Sequence, residues 1–483
     1  MKILKKTLAV ILCLCLLSGL SVCFAADTEK KYLDYKSYVL LGDSVASGWS
    51  DVEEIESRFV RVEGSYGAYL ADDLGVEEYH PMACIGFRTV EMRYIFEEDF
   101  EPDRFLYYSI DKEEMDNKYA PAMRKAVSEA DLITLNIGGN DWGSFLGWHV
   151  YEEMDKQEAN SQFIAELKKY LEEGNAADSD GQATIDAIID IAAVCGALPD
   201  LFRILPFALK EGLENFFTNW NYMIEDIYAL NPDVTLVVVG MFDNSIQSEE
   251  DWAERQNAEE KLYVSQMIID FANIPMVEGA KKYGYIYVDT AGTVCEEHHP
   301  SRGENGGHRY IADKILEALP DANYPYTDVK MNGKDFKAYE YMYKNNIMSG
   351  LTSTTFGPDE LLTKAQLAEA LYNIAGTPDV SGIDRSFADV DDSHPMKAAM
   401  VWADSNGILA ADGDNFGPDE TLQKATFISA IFKAIKTEGT DFIGTIKALI
   451  YTFSYFIKEI FTISKDITRG EAVMKLMEYI EKF

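Results

Sequence analysis

Ser44 ends the run YVLLGDS (38–44), in which four apolar residues lead straight into Gly42-Asp43-Ser44, and Gly48 follows four residues later. A buried strand that stops on an exposed serine can present a nucleophile; any strand can also end in such a turn. Ester hydrolysis at that serine requires a base, a group that orients the base, and donors for the oxyanion. The base must come from His80, His149, His298, His299, His308 or His394. His299 stands out because Pro300 follows it and the helix-like RYIADKILEAL begins a few residues later. Glu296, three residues earlier, can reach the imidazole from the same turn. The amides of Ser44 and Gly86 and the side chain of Asn140 are the candidate oxyanion donors. Asp43 and Asp141 read as turn-stabilising carboxylates, and His298 and His308 as polar neighbours.

Positioning these residues calls for strands that end beside one another. YVLL (38–41), LITLNI (132–137), VTLVVVG (234–240) and YIYVDT (285–290) are continuous apolar runs, the pattern of strands covered on both faces. Helical stretches alternate with them from Tyr38 to about Ala318, which predicts a doubly wound α/β domain with a parallel sheet. Sites in such sheets form beyond the carboxyl ends of the strands, where Gly42-Asp43-Ser44 and Gly138-Gly139-Asn140-Asp141 both fall. Helix-like sequence from about 151 to 229 interrupts the alternation. Its apolar stretch 188–209 reads as an added helical layer on the sheet, or as a lid or acyl-chain pocket.

The 483 residues exceed one ordinary core. A formal charge of −39 argues against nucleic acid or an anionic membrane surface as partner. Lys2, Lys5 and Lys6, an apolar run Leu8–Leu17 and small residues flanking Phe24 follow the order of a signal peptide over residues 1–25. Secretion would leave Cys84, Cys195 and Cys295, too few for a disulfide scaffold. Cys84 and Cys295 read as buried thiols, with a mutual bridge as the alternative. The mature chain is expected to have no transmembrane helix.

After Pro320 the chain repeats. FGPDELLTKAQLAEALYNI (356–374) aligns without gaps on FGPDETLQKATFISAIFKAI (416–435), and SKDITRGEAVMKLMEYI (464–480) is a partial third copy. The short segments YTDV (326–329) and FADV (387–390), which open the first two copies, recur at nearly the same spacing. Each copy closes with apolar residues at helical spacing. FIGTIKALIYTFSYFIKEIFTI (442–463) carries Lys447, Lys458 and Glu459, so it reads as an amphipathic helix and not a membrane span.

Gly42-Asp43-Ser44, Gly86, Gly138-x-Asn140-Asp141 and His299-Pro300 resemble, in order, the four blocks of the SGNH (GDSL) hydrolase family over about Tyr38 to Ala318. The resemblance implies a flavodoxin-like three-layer fold. It also implies an esterase with Ser44 as nucleophile, His299 as base and an oxyanion hole of Ser44, Gly86 and Asn140. The third triad position, aspartate in the family, is Glu296 here. The repeats resemble S-layer homology modules, α-rich units that bind anionic secondary cell-wall polymers of Gram-positive bacteria. That resemblance implies polymer contact through Lys364, Lys424 and Arg469, one basic residue in each copy. The implied organisation is a signal peptide 1–25, a hydrolase domain 26–325 with an insertion at about 151–229, and repeats at 326–376, 386–437 and 438–483. The implied protein is secreted and attached to the cell wall or S-layer. It hydrolyses O-acyl groups on polysaccharide, or lipid esters, without metal or cofactor. The alternative is a wall-bound binding or structural protein whose hydrolase domain is impaired, a reading encouraged by Glu296.

Overall fold

The computed structural model describes residues 30–480 except 51, 54–55, 57, 98, 102–109, 111, 143–145, 158–159, 173–180, 258–263, 334 and 438–464. The expected signal peptide and the amphipathic stretch 442–463 lie outside the described residues.

Five parallel strands form one sheet: β1 (Ser37–Gly42), β2 (Glu78–Ala83), β3 (Leu132–Asn136), β4 (Thr235–Val239) and β5 (Ile286–Val288), in the order β2-β1-β3-β4-β5. The chain winds outward from β1 in both directions, so the switch point, where ligands sit in such sheets, lies between β1 and β3. The four apolar runs all become strands. β2, EYHPMA, does not advertise itself, because it is a half-exposed edge strand carrying Pro81, and an edge tolerates a residue with no amide hydrogen.

The apolar runs are continuous because both faces are covered. Val39, Leu41, Ile133, Leu135, Leu236 and Val238 pack with Met92, Met123, Val127, Trp220 and Ile224. Tyr38, Leu40, Leu132, Val237, Val239 and Val288 pack on the other side with Leu70, Ile311 and Ile315. The architecture is a doubly wound three-layer α/β sandwich.

The interrupting segment is helical: Leu146–Lys156, Ser161–Glu172, Gly181–Val194 and the 33-residue Leu198–Leu230. Its early part builds a small core of its own from Val150, Met154, Phe163, Leu167, Leu201 and Ile204. Farther along the long helix, Phe216, Trp220, Met223, Ile224 and Ile227 join the sheet core, whereas the apolar stretch 188–209, read as a layer on the sheet, packs in the separate small core.

The repeats close on themselves. Leu422 N–H donates to the Leu362 carbonyl (3.0 Å), Ile467 to Leu422 (2.8 Å) and Leu362 to Ile467 (2.9 Å), so the three copies pair in a ring around one shared core. The third copy, degenerate by sequence, completes that ring. In the first two copies an aspartate of the opening segment holds the turn that begins with the recurring Phe-Gly-Pro. Asp328 accepts from Phe356 N and Gly357 N at 2.7 Å each, and Asp389 from Phe416 N and Gly417 N at 2.8 and 2.7 Å. Among the described residues no helix is long and apolar enough to cross a membrane.

Candidate active site

Three loops leave the carboxyl edge of the sheet side by side, because register sets Gly42 opposite Ala83 on one flank and Asn136 on the other. The β1 loop carries Ser44, the β2 loop Gly86 and the β3 loop Asn140. Gly42 must be glycine here. Its φ is +144°, and a Cβ would stand 2.1 Å from the Asn136 carbonyl oxygen. The chain then turns sharply into the one-turn helix Ser44–Ser47, which leaves the Ser44 hydroxyl partly exposed at the edge of the sheet.

His299 comes from a distant part of the chain. The two-residue strands β6 (Cys295–Glu296) and β7 (His299–Pro300) form a hairpin after β5, and its tip presents the imidazole. His299 Nε2 lies 2.9 Å from Ser44 Oγ across 255 residues of sequence, a hydrogen bond between the expected nucleophile and the expected base. Glu296 stands directly across this hairpin from His299. Paired positions of a hairpin project to one side, which keeps the two side chains neighbours, yet Glu296 itself is exposed. Glu297, in the turn between them, takes a left-handed φ of +58°.

The donors converge as well. Asn140 Nδ2 donates to the Phe87 carbonyl at 3.0 Å, which fixes the expected side-chain donor against the residue after Gly86. Asp141 reinforces the same join: it accepts from Thr89 N at 3.0 Å and from the Thr89 hydroxyl. It therefore braces one loop against another where a turn within its own loop was expected. Burial pushes the Asp141 carboxyl up to about 7, with the Thr89 bonds pulling the other way. From behind, Phe216 of the long insertion helix packs on Gly138, leaving no room for a side chain there.

Asp43 has the structural role its position suggested, accepting from Val45 N at 3.1 Å to cap the Ser44 turn. It is buried, and desolvation pushes its carboxyl up to about 7 although the Val45 bond and His299 oppose the shift. His308 is fully buried and accepts from Tyr66 N. Burial takes it down to about 3, so it stays neutral at any ordinary pH. Arg302, which sequence reasoning passed over, donates to the Gly48 carbonyl and pairs with Glu53 at 3.3 Å. It ties the histidine loop to the far side of the serine turn. Only its position three residues after His299 could have suggested this. Cys84, Cys195 and Cys295 are all free thiols.

In the repeats, the three basic residues point inward. Lys364 Nζ donates to the carbonyls of Ala410 (2.9 Å) and Phe416 (2.6 Å) in the second copy. Arg469 donates to those of Phe356 (3.0 Å) and Ser349 (2.5 Å) in the first. Lys424 pairs with Glu471 of the third at 2.7 Å. Each is at most 9% exposed and reaches into the next copy round the ring. Beside Lys364 opens a groove of about 570 Å³, lined also by Thr421, Gln423, Ser429 and Lys433 and by the carboxylates of Glu420 and Asp466.

Residues 325–368 and 386–428 match the S-layer homology domain family. The chain is 26% identical over 125 residues to a cell surface protein of Thermoanaerobacter kivui, covering 25% of this chain and 16% of that one. It is 28% identical over 166 residues to the surface-layer 125 kDa protein of Lysinibacillus sphaericus, covering 32% and 14%. The chain thus spans about a sixth of the length of these relatives. A solved extracellular lipase from Streptomyces rimosus superposes with a TM-score of 0.32 and 16% identity, over 59% of this chain and 99% of that one.

Proposed function

The chain carries S-layer homology repeats, the mark of a surface-attached protein, and we propose that its α/β domain is a serine esterase of the SGNH type. The observation that carries this reading is the 2.9 Å bond between Ser44 Oγ and His299 Nε2 at the carboxyl edge of the sheet. His299 takes the Ser44 proton as Oγ attacks the ester carbonyl, and Glu296 orients the resulting imidazolium across the hairpin. The amides of Ser44 and Gly86 and the Asn140 side chain receive the oxyanion. Collapse expels the alcohol, protonated by His299, and leaves an acyl group on Ser44. Water activated by His299 then releases the acid. No step calls for a metal or cofactor. O-acyl groups on wall polysaccharide and lipid esters are the two substrate classes in view.

Attachment runs through the ring of repeats. An anionic wall polymer would lie in the groove beside Lys364, with Lys433, Gln423 and Ser429 as further contacts, while Lys424 and Arg469 hold neighbouring copies together. Salt should weaken that attachment, since Lys433 meets solvent.

A fluorophosphonate probe and a short-chain chromogenic ester test the catalytic reading. Ser44 should be labelled, and Ser44→Ala should lose both labelling and turnover. Undiminished turnover in Ser44→Ala removes the assignment. The exposure of Glu296 favours a second reading, an impaired hydrolase that serves only as a wall-bound protein. A folded chain with neither labelling nor turnover would select it.

A further inference from the structure

The helical insertion carries a cluster that neither the hydrolytic site nor the repeats use. His149 and Glu152 lie one turn apart on Leu146–Lys156, and Glu211 faces them from Leu198–Leu230. One potential ligand atom from each of the three lies within 4.8 Å of the others. His149 Nδ1 is 3.9 Å from Glu211 Oε2, and the ring also donates to the Asp141 backbone carbonyl. The His149 side chain is buried between the two helices. Lys156, a cation at the cluster, is 3.6 Å from Glu211 and 3.0 Å from Glu153, so it can keep the second carboxylate when it leaves the first.

We propose that His149, Glu152 and Glu211 form a binding site for a divalent first-row transition ion, zinc in particular, that clamps the insertion and steadies the β3 loop. The donor set argues for the ion class. An imidazole with two carboxylates suits zinc, whereas calcium and magnesium take oxygen ligands alone. Zinc–ligand bonds of about 2.0–2.2 Å place tetrahedral ligand atoms ~3.3 Å apart. Rotation of the two glutamates, both partly exposed, closes the present spacing to that value. The hydrogen bond from the imidazole to the Asp141 carbonyl is the outer contact that usually orients a ligating histidine. It also ties the ion to the residue after Asn140. The ion touches no reacting group and braces the loop that carries the oxyanion donor.

The test uses the full chain, stripped with a chelator, dialysed, and titrated with zinc alone or calcium alone in a calorimeter. One zinc per chain should bind and raise the melting temperature, and calcium should do neither. Losing an outer contact alone costs about 10–100-fold in metal affinity, so His149→Ala and Glu211→Gln should each weaken zinc by ~100-fold or more. His149 is buried and its replacement can unfold the insertion. Glu211, with a side chain 33% exposed, gives the variant that keeps the fold. Absence of zinc binding by the full chain, equal binding of calcium, or undiminished zinc binding in folded Glu211→Gln would each overturn the proposal.

Discussion

Asp43→Asn should change how stability depends on pH, by an amount the structure sets. Burial holds the Asp43 carboxyl at about 7, against an ordinary value of 3.8. Between those values the folded chain keeps a proton that the unfolded chain has released. Folding therefore takes up a proton there, and stability falls as pH rises from about 4 to about 7. Three pH units at 1.36 kcal/mol each make the loss on the order of 4 kcal/mol for this one group. Asparagine cannot ionise, and its oxygen can still accept from Val45 N, the bond that caps the Ser44 turn. The variant should match the parent to within about 1 kcal/mol at pH 4 and exceed it by up to ~4 kcal/mol at pH 8. Asp141, also pushed to about 7, titrates in both chains and cancels from the difference. Paired urea unfolding at pH 4, 6 and 8 reads the effect. A stability difference that does not move with pH would refute the reasoning, because it would mean that Asp43 titrates alike folded and unfolded.

Asn140→Ala should lower kcat by about 10²–10³ with a smaller change in KM, as loss of an oxyanion donor does. A variant that unfolds instead marks the Asn140–Phe87 bond as structural, which melting of the same sample detects. Glu296→Gln should lower kcat at least about tenfold if this carboxylate steadies the His299 imidazolium, and unchanged kinetics would detach it from the triad. In the repeats, Arg469→Ala should cost ~3 kcal/mol or more, since it strips a buried cation from two carbonyls. Lys424→Ala should cost only ~1 kcal/mol because its partner Glu471 is 42% exposed. Equal losses in urea unfolding would show that burial does not separate the two.

Two loops of the candidate site were readable because each begins where an apolar run meets a glycine. Gly42 and Gly138 punctuate β1 and β3, and the residues just beyond them are the ones the sheet edge gathers. What could not be read was the partner across the gap. Thr89 is 52 residues from Asp141, and Arg302 is 254 from Gly48. Local spacing carries no record of such contacts, since register between strands decides them. The same holds for exposure. Glu296 reads equally well as buried or solvated, and only the two-residue hairpin puts it outside. β2 was missed for a different reason: an edge strand pairs on one side only, and so needs neither a continuous apolar run nor freedom from proline.

The repeats show how one pattern can be right in position and open in direction. A lone basic residue after threonine, in a chain of charge −39, reads as a surface contact for an anionic polymer. The ring turns it inward, because a basic side chain at the start of each closing helix meets the next copy where carbonyls or a carboxylate await a cation. The flanking residues explain why the motif takes this form. Thr363 accepts from Gln366 N while Gln366 accepts from Thr363 N, and Thr468 and Glu471 do the same, so T-x-x-Q and T-x-x-E are capping boxes. The second copy, Q-K-A-T, lacks both box residues, and Lys424 bonds Glu471 of the third copy's box. Cap and cation thus act as one unit that starts a helix and fastens it to its neighbour. The 570 Å³ groove opens beside the copy that lost the cap. Local repair of that cap, by Gln423→Thr with Thr426→Glu, should therefore stiffen the second helix and tighten the groove.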